Sequence, residues 1–137
     1  MNLFLLGASH HSAPVNLRER IDFTRRGVVD GLAELAKLPG LSEAVILSTC
    51  NRSEIYAACD DPRVMRETLA TFLSTYHDMP ESELVPHLYT RTDADVARHL
   101  FRVAAGLDSL VVGEPQILGQ IKDAFTIASE QNYTGVF

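Results

Sequence analysis

The sequence predicts an α+β fold with a split βαβ (βαββαβ) antiparallel sheet and additional C-terminal helices. Three observations carry that expectation. Short apolar strand-like runs alternate with helical stripes in the order strand, helix, strand, strand, helix, strand, helix, helix. Only a short polar connection separates the second and third strands, as in a hairpin. No internal repeat or low-complexity tract suggests a solenoid or array.

The first strand is Leu3–Ala8, too short and apolar for a typical helix. Ser9-His10-His11-Ser12-Ala13-Pro14 reads as a loop. One helical pattern runs from about Val15 to Lys37, with Val28, Leu32, Leu35 and Leu38 at spacings of three and four, and Pro39-Gly40 ends it. Glu43–Ser48 is the second strand, Thr49–Arg52 the connection and Ser53–Cys59 the third strand. Asp60-Asp61-Pro62 opens a helix whose apolar face uses Val64, Leu69, Phe72, Leu73 and Tyr76. Leu84–Tyr89 supplies the fourth strand. Thr92 and Asp95 are spaced as a capping box before a helix striped by Val96, Leu100, Val103 and Leu107. A last helix starts at Glu114-Pro115 and runs through Ile117, Ile121, Ala124, Phe125 and Ala128. The order is that of the ferredoxin-like fold.

The 137 residues are room for one domain, 1–137, with 46% hydrophobic and 22% charged residues. That balance excludes disorder and a coiled coil. Eighteen acidic and 12 basic residues give a formal charge of −6, which argues against wholesale phosphate neutralisation but leaves room for a local RNA contact. The apolar runs fall far short of the ~20 residues of a membrane span. The N-terminus does not read as a secretion signal. Two cysteines form no disulfide framework, so a reducing, cytoplasmic setting is expected.

Cysteine commonly packs in a core, but Cys50 is flanked by Ser48, Thr49, Asn51, Arg52 and Ser53. A guanidinium two residues away favours thiolate, the nucleophilic form, if the turn folds back. Cys59 ends an apolar strand and reads as structural. His99 lies off the stripe of Val96, Leu100 and Val103, which on residues alone puts it on a solvated face. Lining a cleft, its imidazole would serve proton transfer. Adjacent His10 and His11 have no companion ligand pair with zinc-type spacing, so no metal is expected. Gln116 and Gln120 share a helix face near Glu114. No G-x-G-x-x-G follows a strand, so a nicotinamide site would lie outside this chain. Two functions stand on these features: nucleophilic catalysis at Cys50, or a non-catalytic small-molecule-binding or interaction module on a fold that serves many tasks.

Three tracts carry a resemblance. Gly7–Glu19 resembles the opening signature of the glutamyl-tRNA reductases, with Ser9 where some relatives have asparagine. Ser48–Glu54 is similar to their nucleophile motif, and His99–Ser109 with Val112–Lys122 to their longest signature. The resemblance implies an NADPH-dependent oxidoreductase that converts glutamyl-tRNA(Glu) to glutamate-1-semialdehyde through a cysteine thioester, the first committed step of tetrapyrrole biosynthesis. It implies an N-terminal catalytic domain lacking the NADPH-binding and dimerisation domains, a homodimer in the full-length protein and the semialdehyde aminomutase as a partner. By the same likeness Cys50 is the nucleophile and His99 a second catalytic residue. Arg52 pairs with the substrate carboxylate, and Thr49, Asn51, Ser109, Glu114, Pro115, Gln116 and Gln120 bind substrate.

Overall fold

A computed structural model describes residues 2–23, 27–49, 51–105 and 116–130, the backbone alone at 116–119 and 130. Its strands are β1 (Asn2–Ser9), β2 (Leu41–Ser48), β3 (Arg52–Cys59) and β4 (Tyr89–Thr92). Its helices are α1 (Val15–Arg20), α2 (Val28–Leu35), α3 (Pro62–Tyr76), α4 (Glu81–Leu84), α5 (Ala94–Ala104) and α6 (Gln116–Glu130). Among the described residues the strands form one sheet in the order β2-β3-β1-β4, with every neighbouring pair antiparallel. β1 and β2 therefore run the same way on either side of β3, and β3 and β4 on either side of β1. A same-direction pair needs a long crossover, and helices fill both. This is the expected split βαβ arrangement. No helix of the described residues is long and apolar enough to cross a membrane.

Period-two alternation divides the sheet's side chains. Phe4, Leu6, Ile46 and Ile55 take one face, beneath α2 and α3, where Phe23 stacks near Phe72 and Tyr76 at 6.4 and 5.3 Å between ring centroids. Arg52, Glu54 and Tyr56 take the other. There α5 lies against β1 and β4 and α6 lies along β2, sealing the layer with Val96, Val103, Ile121, Ala124 and Ala128. Because helices cover both faces, every residue of β3 is buried. That is why its two charged residues matter.

Several boundaries differ from the sequence expectation, each for a local reason. The pattern over Val15–Lys37 breaks into α1 and α2. Ile21 and Phe23 are fully buried, and their backbone is held by the sheet: Ser53 Oγ donates to the Ile21 carbonyl at 2.9 Å and Phe23 N–H donates to Ser48 Oγ at 3.0 Å. Side-chain partners of this kind compete with helix. Gly27, at φ +88°, restarts the chain as α2. The fourth strand is Tyr89–Thr92 rather than Leu84–Tyr89, since Pro80 caps α4 and Pro86 enters a 3-10 turn, Val85–His87, where its missing N–H is harmless. The capping box of Thr92 and Asp95 does not form. Thr92 ends β4, and Asp93 exchanges bonds with Leu3, its Oδ1 accepting from Leu3 N–H at 3.1 Å and its N–H donating to Leu3 O at 3.0 Å. Asp61 caps α3 as expected, accepting from Arg63 N–H at 3.0 Å, but Met65 replaces the exposed Val64 on the buried stripe. Phe125 stays exposed beside Ile121 and Ala124. Leu107 and the side chain of Ile117 lie outside the described residues.

Gly7 in mid-β1 is required by a close approach. A Cβ there would stand 2.7 Å from Glu54 Cγ and 2.8 Å from the Ser53 carbonyl. Gly7→Ala is therefore expected to cost ~1–3 kcal/mol by overpacking, read as a lowered urea midpoint. An unchanged midpoint would show that Glu54 can move aside freely.

Candidate active site

Residue i and i+2 of a strand share a face, so β3 projects Arg52, Glu54 and Tyr56 together. Glu54 faces Gly7 on β1, and Gly7 faces Tyr89 on β4. The absent side chain at Gly7 lets Glu54 and Tyr89 meet across the intervening strand. From above, α5 lowers His99 onto the same carboxylate. Glu54 Oε2 accepts from His99 Nε2 at 2.5 Å, Tyr89 Oη at 2.5 Å and Arg52 Nη1 at 3.2 Å, while Oε1 accepts from Tyr56 Oη at 2.9 Å. Glu54 is fully buried, Arg52 is 1% exposed and His99 8%.

Burial alone would raise the Glu54 pKa. The His99 hydrogen bond, the Arg52 and His99 charges and the Tyr89 hydrogen bond outweigh it and hold the carboxyl below its ordinary value. Glu54 is thus a carboxylate at neutral pH. Burial, followed by the Glu54 charge and its hydrogen bonds, pushes both Tyr56 and Tyr89 up, so the phenols stay neutral donors. The Nε2 contact to Glu54 fixes the ring orientation of His99. The result is a buried, pre-set electrostatic cluster.

The cluster adjoins the β2–β3 hairpin. Thr49 N–H donates to Arg52 O at 2.8 Å, and Thr49 Oγ1 accepts from both Asn51 N–H and Arg52 N–H at 3.2 Å. The histidine loop joins the same turn, His10 N–H donating to Asn51 O at 2.9 Å. Beside the cluster opens a cleft of about 720 Å³ whose wall includes Ser9, Ser12, Tyr89 and His99.

Of the expected site residues, the structure brings Arg52 and His99 to one cluster and puts Thr49 and Asn51 at the adjoining turn. His99 is not on a solvated face: it stands three residues after Val96 and four before Val103, at the edge of the buried stripe. Gln120 is exposed on α6 and does not border the cleft. Cys50, Ser109, Glu114, Pro115 and the side chain of Gln116 lie outside the described residues. Cys59 is fully buried, its thiol pushed up by burial and by Asp60, Asp61 and Asp93. His10 and His11 lie with ring centroids 3.9 Å apart, and among the described residues no three His, Cys, Asp or Glu side chains gather to hold a metal. Sequence reasoning gave no role to Glu54, Tyr56 or Tyr89. Two charges and a tyrosine at alternate positions of a strand otherwise apolar but for Ser53 were the available signal for the first two.

The family model described as glutamyl-tRNA(Glu) reductase, N-terminal domain, matches residues 6–137. Glutamyl-tRNA reductase of Syntrophotalea carbinolica is 48% identical over 135 residues, covering 98% of this chain and 30% of that protein. The Marinobacter nauticus protein of the same name is 49% identical over 140 residues, covering 100% and 32%. Among solved structures, glutamyl-tRNA reductase from Methanopyrus kandleri superposes with a TM-score of 0.79 at 31% identity, over 98% of this chain and 30% of that one. The chain thus spans about 30% of the length of the relatives it matches. On this match in sequence and fold, the chain belongs to the glutamyl-tRNA reductase family, corresponding to its N-terminal domain.

Proposed function

We propose that this domain carries out the acyl-transfer half of glutamyl-tRNA reduction, with Cys50 as nucleophile. The Cys50 thiolate attacks the aminoacyl ester carbonyl, the C–O bond to the ribose breaks, and a glutamyl thioester remains. The departing ribose oxygen needs a proton, and His99 in its doubly protonated form delivers one from Nδ1, the nitrogen that does not face Glu54, leaving a neutral ring still bonded to Glu54 through Nε2. By likeness to the family motif Arg52 recognises the side-chain carboxylate of the glutamyl group, a task suited to a planar guanidinium. Because Arg52 is 1% exposed and paired with Glu54, the incoming substrate has to uncover it. Glu54 is a positioning residue that fixes both of these partners. Thr49 and Asn51 shape the turn, and by family likeness alone Ser109, Glu114, Pro115 and Gln116 contact substrate from the C-terminal signature, with Gln120 contacting a part of it outside the cleft. A bound NADPH would supply the hydride for the reduction, and a thioester carbonyl is the better acceptor because sulfur donates less to it than an ester oxygen does. The sequence has no glycine-rich phosphate loop of the kind that cofactor uses, and by family likeness a separate domain would hold it.

One observation supports this most: the carboxylate-anchored Arg52–Glu54–His99 cluster begins two residues after Cys50 and borders an open cleft. From family likeness alone come a single catalytic domain at 1–137, a homodimer, cytoplasmic tetrapyrrole synthesis through glutamate-1-semialdehyde, and hand-over to an aminomutase.

Incubation with glutamyl-tRNA(Glu) tests the reading. Peptide mapping is expected to locate one glutamyl adduct on Cys50 and none on Cys59, whose thiol is buried and held protonated. An adduct on neither cysteine, with tRNA deacylation at the uncatalysed rate, would refute it.

A further inference from the structure

The chain carries a formal charge of −6, yet one wall of the cleft beside the cluster concentrates cations. Arg91 contributes from β4, and Arg98 and Arg102 contribute from α5, one turn apart on the same helix face. Asp95 is the acidic residue of that lining, and its Oδ1 accepts from Arg98 Nη1 at 2.6 Å. Arg91 sits with its guanidinium carbon 5.5 Å from the centroid of the Tyr89 ring and donates to Thr90 O at 2.7 Å, two contacts that hold it at the cleft wall. A second feature accompanies the charge. Phe101, between Arg98 and Arg102 in sequence, is 74% exposed.

Cations interleaved with an exposed aromatic fit a single nucleic-acid strand, whose phosphates meet the charges and whose bases stack on the ring. An acidic peptide would use the arginines but leave Phe101 in water. The cleft also points the right way. Tyr89 and His99 belong both to it and to the Glu54 cluster, and its histidine-loop end is hydrogen-bonded to Asn51 beside Cys50. An occupant with its acyl end at the Glu54 cluster would lay its body past the arginines.

Resting on the proposed acyl transfer, we propose that the cleft between β4 and α5 is the track for the 3′-terminal single strand of the aminoacyl-tRNA. Arg91, Arg98 and Arg102 meet its phosphates, Phe101 stacks a base, and Asp95 moderates the grip by engaging Arg98.

The test is the binding of uncharged tRNA(Glu) to the chain across a salt series, which leaves acyl chemistry out. Arg98→Gln/Arg102→Gln is expected to flatten the dependence of log K on log salt by about 1.4, at ~0.7 per single-strand phosphate contact. Phe101→Ala is expected to weaken binding roughly 5- to 150-fold. Asp95→Asn is expected to tighten it by about two- to fivefold, a gain that mere structural damage would not produce. Circular dichroism melts should be unchanged, because these side chains face solvent.

Wild-type binding too weak to measure, or variants that bind tRNA as the wild type does, would overturn the proposal. So would polyglutamate that binds as tightly as tRNA and is equally indifferent to Phe101, the mark of a generic anion patch. Loss of the Cys50 adduct with tRNA binding and its salt slope intact would instead strike at the acyl-transfer reading and leave the track standing.

Discussion

Glu54→Leu is expected to lower the free energy of unfolding by ~3–5 kcal/mol, the usual consequence of removing one partner from a buried ion pair. Domains are stable by only ~5–15 kcal/mol, so this one change should leave the protein close to its unfolding limit. The physical cause is concentrated. One carboxylate accepts from Arg52, Tyr56, Tyr89 and His99, and its loss withdraws the counter-charge from a guanidinium only 1% exposed. Replacing both, as in Arg52→Met/Glu54→Leu, should recover part of the loss, because the guanidinium is then no longer left buried without the Glu54 charge.

The same carboxylate sets an acid limit. Its folded pKa lies below the ordinary 4.5, so its contribution is fully present above that pH and drains away as pH falls through the lower folded value. Urea titrations from neutral pH into this acid range should therefore show the wild type losing stability more steeply than the double variant. A Glu54→Leu protein as stable as wild type, or identical acid profiles, would mean the cluster does not anchor the fold.

That anchor also marks where sequence reasoning stops. Strand order and the hairpin were legible because β1, β2 and β3 are apolar runs bounded by turn residues, and hydrophobic patterning reports burial directly. β4 was misplaced because an edge strand of Tyr-Thr-Arg-Thr carries no such pattern, while the apolar residues before it are turned aside by Pro86. The break between α1 and α2 was invisible because Ile21 and Phe23 continue a hydrophobic pattern while their backbone is held by Ser53 and Ser48, 32 and 25 residues away. The site divides the same way. Arg52 and His99 stand inside recognisable motifs. Tyr89 joins them only because Gly7 leaves a gap across β1, a relation between three strands that no linear spacing displays.

Cys50→Ser should abolish the glutamyl adduct and slow Cys50-dependent deacylation by roughly 10³-fold or more, on the scale of other nucleophile deletions. The swap changes a single atom, but a hydroxyl is far harder to ionise than a thiol and nothing in the proposed mechanism supplies a base strong enough to activate it. Folding should be spared, because the turn's described hydrogen bonds come from Thr49, Asn51, Arg52 and His10. Cys59→Ser is the informative counterpart. It puts a hydroxyl into a fully buried position at the end of β3, at a cost of ~1–3 kcal/mol if that group finds no partner, while the folded fraction keeps its adduct. Chemistry lost without stability at residue 50, and stability lost without chemistry at residue 59, would separate nucleophile from core thiol. A Cys50→Ser protein that still acquires the glutamyl group would move the nucleophile elsewhere, and the role given to the carboxylate cluster beside it would have to be rebuilt around that residue.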